Sequence, residues 1–338
     1  MLNEIEIENF LQNIDKDSLL IDARSPEEFE ESHIKNAVNL YALDNTQRKE
    51  VGTLYKKSPF DAKVLGASYL SQNMGNFLQN ELLNYTPKTK IFIYCARGGQ
   101  RSGGIATILD HIGFRVYKLH GGYKNYRHYV LKYLDNFKYD NFIVLDGLTG
   151  SGKSLIVKEV QNSIDLETLA NHYGSSFGAI NGKQPSQKQF QNSLFDELER
   201  VKKYDFVLLE GESKKIGKLH IPNFLYQKML KAPRIWIDSP IEDRVERILQ
   251  DYKKIDETFF ENAMRKIAPY IERKYANEAK ESFYRGDLYT CAKILLEKYY
   301  DNVYKHRGNY DAFINFKDTK QILCDINKFA KDYLEHLR

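Results

Sequence analysis

The chain has 338 residues, 42% of them hydrophobic and 28% charged, with 50 basic side chains against 46 acidic ones and a formal net charge of +4. That length exceeds one average core and predicts two domains. The composition is that of a soluble globular protein, and no stretch approaches the roughly 18 uninterrupted apolar residues of a membrane span.

The first ten residues, MLNEIEIENF, are acidic and lack the basic-then-apolar layout of a secretory signal. Three widely spaced cysteines, at 95, 291 and 324, suggest neither a disulfide framework nor a zinc site. Together these features predict a cytoplasmic protein. The near-neutral charge permits a nucleic-acid partner without demanding one, because no long Lys/Arg run is present.

In chain order, SLLIDAR (18–24), IFIYCAR (91–97) and VYKLHGGY (116–123) have the length and β-branched content of buried parallel strands, the last ending in a glycine turn. Helix-like stretches lie between them, including Glu27–Glu31 and Gly103–His111. Strands alternating with helices imply an α/β domain with a parallel sheet over residues 1–135. A second α/β unit, 140–338, opens with NFIVLDG (141–147) and continues with YDFVLLEGES (204–213) and PRIWIDSP (233–240). Beyond Asp238 the pattern turns helical, and amphipathic C-terminal helices cap this domain.

YCARGGQRSGG (94–104) places Cys95 where a buried strand ends and a glycine-rich loop runs into a helix. Glycines let such a loop curl around the sulfur and aim N–H groups at it. The helix N-terminus, Arg97 and Arg101 add positive potential, so the setting stabilises an anion on or beyond the sulfur. A persulfide or perselenide terminus is such an anion. Cys291 and Cys324, in TCAKILL and QILCDIN, read as packing residues.

GLTGSGKS (147–154) completes the G-x-x-x-x-G-K-[ST] pattern between a predicted strand and helix, the context that such a phosphate-binding loop requires. Gly147, Leu148, Thr149, Gly150, Ser151 and Gly152 would surround a phosphate with N–H groups, Lys153 would meet the next one, and Ser154 is placed to ligate Mg²⁺. Glu210, at a strand end, reads either as an acid working beside this loop or as a solvated terminus. Asp238 followed by Arg244 is an arrangement also found in small-molecule kinases.

The cysteine loop resembles that of the rhodanese family. So does IDARSPEEFEESHIKNAVNL (21–40), in which Asp22, Arg24, Glu28, His33 and Ala37 match the family pattern and Ser32 stands where glycine is usual. Asp22 and Arg24 would support the loop from behind it, and His33 reads as a turn residue. A rhodanese-like domain followed by a P-loop NTPase-like domain, together with VGTLYKKSPFDAKVLGA (51–67), LETLANHYGSSFGAINGKQPSQKQF (166–190) and LEGESKKIG (209–217), resembles the tRNA 2-selenouridine synthase family from about Leu19 to Asp243.

That resemblance implies a two-step replacement on the wobble 2-thiouridine of tRNA. Geranyl diphosphate first alkylates the sulfur, and selenium supplied as selenophosphate then displaces it. It further implies that Cys95 handles selenium, with Arg97, Gly98, Gly99 and Arg101 holding the anionic chalcogen or the selenophosphate. Gly66 would allow close backbone approach near the cysteine or mark a simple turn. His172, Ser175 and Ser176, with Gly174, Phe177 and Gly178, would form a lid or substrate loop, extended by Lys183, Gln184, Ser186, Glu210, Glu212, Ser213 and Lys214. The partners implied are tRNA and small phosphate and diphosphate donors, with no membrane; oligomeric state is left open. The competing reading is a rhodanese-type sulfurtransferase with a regulatory nucleotide-binding domain.

Overall fold

The computed structural model describes residues 2–252, 255–303 and 309–336. The chain folds as two compact units, Met1–Asn136 with Pro185–Asp196, and Phe137–Gln184 with Glu197–Arg338.

The first unit is built on strands β1 (Asn3–Ile5), β2 (Leu19–Asp22), β3 (Val38–Asn39), β4 (Lys90–Tyr94) and β5 (Arg115–Leu119), in the order β1-β5-β4-β2-β3 and all parallel. β2 is buried along its whole length and β4 over its last four residues, which is why both read as unbroken apolar runs rather than as alternating ones. The register pairs Leu19 with Ile91 and Asp22 with Tyr94, so Asp22 and Cys95 arrive together at the carboxyl edge of the sheet. Ligands of open α/β sheets bind at that edge.

The segment Pro185–Asp196 groups with this first unit, whereas the sequence pattern places all of 140–338 in the second domain. Polar contacts account for the difference. The buried Asn192 donates from Nδ2 to the His33 carbonyl (3.0 Å) and to the Tyr123 hydroxyl (2.9 Å), and Gln189 Oε1 accepts from His33 N–H at 2.8 Å. Arg127 donates to Asn192 and Gln191, and Phe195 packs edge-on against Tyr126, Tyr129 and Tyr133. Such pairings between distant segments leave no local periodicity.

The second unit carries β6 (Phe142–Asp146), β7 (Ser163–Ile164), β8 (Val207–Glu210), the short antiparallel pair β9 (Lys215–Ile216) and β10 (Leu219–His220), β11 (Arg234–Asp238) and β12 (Ala312–Asn315). The main sheet runs β12-β11-β6-β8-β7, again parallel. β6 sits at its centre, flanked by β8 with Leu145 opposite Glu210 and by β11 with Trp236 opposite Asp146. The glycine loop and two strand-end acids are thereby gathered at one edge.

The C-terminal region is not helical throughout, as its pattern suggests. β12 adds an edge strand to β11, four residues being too few for a period-two signal to stand out. The helices Ile241–Asp251, Glu257–Ile267, Arg273–Tyr284 and Leu288–Leu295 share an apolar cluster of their own. Cys291 lies in that cluster, and burial pushes its thiol up to about 12, which suits packing. Cys324 is exposed, because the helix Thr319–His336 turns Ile322, Ile326 and Ala330 inward instead. No helix of the described residues is long and apolar enough to cross a membrane.

Candidate functional site

Cys95 follows β4 directly, and the helix Gln100–His111 closes its loop. The residue is 3% exposed, and the buried Ser102 directs its hydroxyl at the sulfur, Oγ to Sγ 3.2 Å. Ser102 thus enters the site unforeseen, although it stands inside the motif seven residues on.

The loop is shaped by a second pair of glycines. Tyr123 N–H donates to the Cys95 carbonyl (2.8 Å) and Lys124 N–H to that of Ala96 (3.0 Å), drawing the start of the helix Gly122–Asp135 against the loop. Gly122 has a φ of +60°, and a Cβ there would collide with the Cys95 carbonyl and the Gly98 nitrogen and come within 2.9 Å of the Arg97 nitrogen. Gly98, at φ +66°, is confined less tightly, a Cβ there lying 2.9 Å from the Leu119 carbonyl and 3.1 Å from the Gly121 nitrogen. Two backbones therefore pack face to face, an approach that only glycine permits.

Behind the loop, Arg24 and Asp22 form a buried pair (Nη2–Oδ2 2.5 Å), and Nη2 of Arg24 also donates to the Ser32 carbonyl at 2.6 Å. The guanidinium lies 3.7 Å from the centre of the Tyr123 ring. Burial works against its charge, yet the hydrogen bonds and charge of Asp22 hold Arg24 above its ordinary pKa. His33 stacks on Phe29 and donates from Nδ1 to the Phe29 carbonyl at 2.9 Å, the satisfied turn residue expected.

Two assignments at this site change. The resemblance places Arg101 on an anionic chalcogen, but its guanidinium pairs with Glu28 at 2.6 Å. Arg101 and Arg48 draw the Glu28 carboxyl below its ordinary pKa against the opposing effect of burial. Gly66 lies within the helix Pro59–Asn80, and a Cβ there would make ordinary contact with Val51 alone. It is neither a turn nor a close approach to Cys95. Arg97 remains exposed at the loop, and Gly99 begins the following helix with open space around it.

The phosphate-type loop of the second unit joins β6 to the helix Lys153–Glu159. Gly147, Gly150 and Gly152 all have positive φ, and the backbone folds back with Ser151 N–H donating to the Leu148 carbonyl at 3.1 Å. Lys153 curls over this turn and donates to the Gly147 (2.8 Å) and Leu148 (3.3 Å) carbonyls. The helix Ile241–Asp251 braces the loop from outside. Arg244 donates to the Thr149 carbonyl and pairs with Asp301 at 2.6 Å, and Arg247 donates to the Gly150 carbonyl at 2.9 Å. Arg244 is 3% exposed and committed to these partners, which corrects its kinase-like reading.

Beside Lys153 and Ser154 stand three glutamates. Ser154 Oγ donates to Glu167 Oε2 at 3.1 Å, the Glu167 N–H points at Glu210 Oε2 at 3.5 Å, and the Glu212 carboxyl hydrogen-bonds that of Glu167. Glu210 is 1% exposed, so it is no solvated strand end. Burial, with Glu212 next to it, pushes the Glu167 carboxyl up to about 8; burial, with Glu210, does the same to Glu212. Burial raises Glu210 well above its ordinary value. Glu167, which lies in LETLA (166–170), carries no signal in the sequence: a lone Glu in an amphipathic stretch reads as surface.

These carboxyls carry a pH prediction. In the unfolded chain they titrate near 4.5, so between that value and about 8 the folded protein retains protons that the unfolded chain has lost. The contribution of Glu167 and Glu212 to stability therefore falls as pH rises through this window and is lost above about 8. Glu212→Gln is expected to leave the melting temperature near wild type at pH 4.5 and to raise it at pH 9, by an amount on the order of 2 kcal/mol in stability. Equal wild-type-to-variant differences at both pH values would count against a protonated, buried carboxyl.

The loop over residues 172–178 adjoins this cluster, since a Cβ on Gly174 would sit 2.9 Å from Glu212 Oε1 and 3.1 Å from Glu167 Oε1. Its residues are less open than expected of a lid. Phe177 is 5% exposed and belongs to the helical apolar cluster. His172 is buried, and that burial lowers its pKa. Ser176 Oγ is 3.0 Å from the Tyr299 hydroxyl, Ser175 faces Tyr252, and Gly178 lies against the His172 ring.

Of the proposed extension, only Glu210 and Glu212 join the cluster. Ser213 caps its own turn by donating to the Lys215 carbonyl (2.6 Å), and Gln184 bonds the Ala170 and Ile216 carbonyls. Lys183 and Lys214 are exposed, and Ser186 groups with the first unit, where its hydroxyl donates to the Glu31 carbonyl.

Comparison with known proteins adds independent findings. A family model described as the tRNA 2-selenouridine synthase AAA domain matches residues 140–285, and one described as a rhodanese-like domain matches residues 6–129. The tRNA 2-selenouridine synthase of Nitrosomonas europaea is 34% identical, over 70% of this chain and 64% of that protein. The protein of the same name from Sulfurovum sp. strain NBC37-1 is 31% identical, over 93% of this chain and 94% of its own. The matches to the first curated relatives span about two thirds of those proteins, 64% and 66% of their length. Among solved structures, the N-terminal domain of an ATP/GTP binding protein from Clostridium difficile 630 is 43% identical, covering 38% of this chain and 99% of that one, with a TM-score of 0.34.

Proposed function

Because this chain belongs to the tRNA 2-selenouridine synthase family, we propose that it replaces the sulfur of a wobble 2-thiouridine in tRNA by selenium. In the first step the thiocarbonyl sulfur attacks C1 of geranyl diphosphate, and the C–O bond breaks to release diphosphate. In the second, the selenide-level selenium of selenophosphate adds at C2, the C–S bond breaks and geranylthiol leaves, and water cleaves the P–Se bond to release phosphate. Alkylation turns a poor leaving group into a better one, which a soft nucleophile can expel.

The observation that carries this reading is the presence in one chain of a sulfur held in a glycine-walled loop and a complete phosphate loop. Diphosphate binds along Gly147–Ser154, with Lys153 leaving the Gly147 and Leu148 carbonyls to neutralise developing charge on the leaving group. The Cys95 loop holds the anionic selenium donor, with the Ser102 hydroxyl beside the sulfur and the exposed Arg97 available to its charge.

Among the described residues no three His, Cys, Asp or Glu side chains converge as a metal cage. Mg²⁺ usually takes only one or two protein ligands besides phosphate oxygens. The hard oxygens of Ser154 and Glu167 fit that chemistry and would hold it, where it would add positive charge beside the diphosphate.

The test is mass spectrometry of nucleosides from 2-thiouridine tRNA incubated with enzyme and geranyl diphosphate, selenophosphate being added afterwards. Geranylthiouridine followed by selenouridine is expected. If neither forms while thiosulfate leaves a persulfide on Cys95, the chain is a sulfurtransferase, and the phosphate loop serves another ligand.

A further inference from the structure

In the first unit the helices Asn45–Tyr55 and Pro59–Asn80 pack on each other and are joined by a tight turn, with Lys57 and Ser58 N–H both donating to the Leu54 carbonyl at 2.9 Å. The turn presents two aromatic rings to solvent, Tyr55 at 55% and Phe60 at 74% exposure, with Val64 one helical turn beyond Phe60. Lys49, Lys56, Lys57 and Lys63 are exposed around them, and among the described residues none of the four has an ion-pair partner. Of the nearby acids, Glu50 accepts from the Tyr69 hydroxyl at 2.7 Å, and Asp61 N–H is capped by Ser58. Single exposed aromatics are ordinary, but two large rings interleaved with unpaired lysines on one rigid tip are not what solubility alone would select.

The hairpin is anchored to the cysteine loop. Leu70 packs against the apolar cluster that includes Cys95, and a Cβ on Gly104 would lie 2.7 Å from Leu70 Cδ1. Arg48 pairs with Glu28 (3.1 Å), the carboxylate that also holds Arg101. Tyr55 is seven residues beyond Arg48 on the same helix, a rise of about 10 Å. A short unpaired strand resting on the tip would therefore reach the neighbourhood of Cys95.

We propose that the tip around Tyr55–Phe60 is a docking surface for single-stranded RNA. Tyr55 and Phe60 stack on unpaired bases, and Lys56, Lys57 and Lys63 pair with phosphates. Positive charge matches the backbone, and ring faces match bases exposed in a loop. This proposal rests on the tRNA reading and adds where the substrate's unpaired segment lies.

The experiment uses the full chain, a tRNA anticodon stem-loop, a fully paired duplex of equal length and vesicles of mixed phosphatidylglycerol and phosphatidylcholine, with binding followed by fluorescence anisotropy against salt. Wild type should favour the stem-loop over the duplex. Tyr55→Ala/Phe60→Ala should weaken stem-loop binding by at least about 10-fold. Lys56→Glu/Lys57→Glu should weaken it too and shrink the salt slope by about 2. Both variants should melt like wild type, because the altered side chains are exposed.

Wild-type stem-loop affinity in both variants would overturn the proposal and leave the tRNA reading standing. Failure of wild type to bind the stem-loop would overturn both. Vesicle binding lost in the aromatic variant, with RNA binding unchanged, would reassign the tip to a membrane surface.

Discussion

Lys153→Ala is expected to lower formation of geranylthiouridine by about 100-fold or more, the scale on which a preorganised charge aimed at developing negative charge contributes to a transition state. Among the described residues the ammonium's hydrogen bonds go to the Gly147 and Leu148 carbonyls of its own loop, so removing it costs the fold little. Lys153 is the positive charge that opposes the raised pKa values of Glu167, Glu210 and Glu212. Without it these carboxyls hold their protons more tightly still, and the loop faces a diphosphate with no counter-charge. Quantifying geranylthiouridine in single-turnover reactions checks this, with persulfide formation on Cys95 from thiosulfate as the control for an intact first unit. Wild-type geranylation by Lys153→Ala would remove the phosphate loop from the first step.

The second large effect is expected at the cysteine loop, where two variants should lose the same activity for different reasons. Cys95→Ser should abolish selenation of pre-geranylated tRNA while melting close to wild type, since the change is nearly isosteric. Gly122→Ala should also lose selenation, with the thiol still present. Its Cβ would meet the Cys95 carbonyl and the Gly98 and Arg97 nitrogens, all of them backbone atoms that cannot swing aside. To the roughly 1–2 kcal/mol of a left-handed non-glycine residue is added the displacement of the loop itself. Its melting temperature should therefore fall by several degrees. Thermal melts beside the selenouridine assay separate the two cases. Full selenation by Cys95→Ser would show that the sulfur takes no part in holding the selenium donor. A Gly122→Ala protein with unaltered Tm and activity would mean that the two glycine backbones are not in close packing.

Residues that act through their immediate neighbours in sequence could be read without a structure. β4 ending just before Cys95 and β6 just before Gly147 follow from short apolar runs that give way to glycine-rich loops, and His33 as a turn residue follows from the segment around it. Residues that act through distant partners could not be read in this way. Arg101 looks free in its motif and is held by Glu28, 73 positions earlier. Arg244 is taken by Asp301, 57 positions later. Gly66 sits in a family-like stretch, yet lies in mid-helix against Val51.

The sequence by itself determined the α/β class, the two parallel sheets and the places where Cys95 and the glycine loop 147–154 leave their strands, because each depends on spacing along the chain: strand length, glycine placement and the eight-residue motif. Tertiary structure decided which charges are available at those loops. The Glu167 carboxyl beside Ser154 is pushed up by burial and by Glu212, neither of which its own segment announces, and Ser102 faces the sulfur only once its helix has closed the loop. It also decided that Pro185–Asp196 belongs with the first unit, through the buried bonds of Asn192. Burial and pairing are properties of what surrounds a side chain. One sequence carries the period of its own elements, but not the identity of the neighbour that each charge will meet.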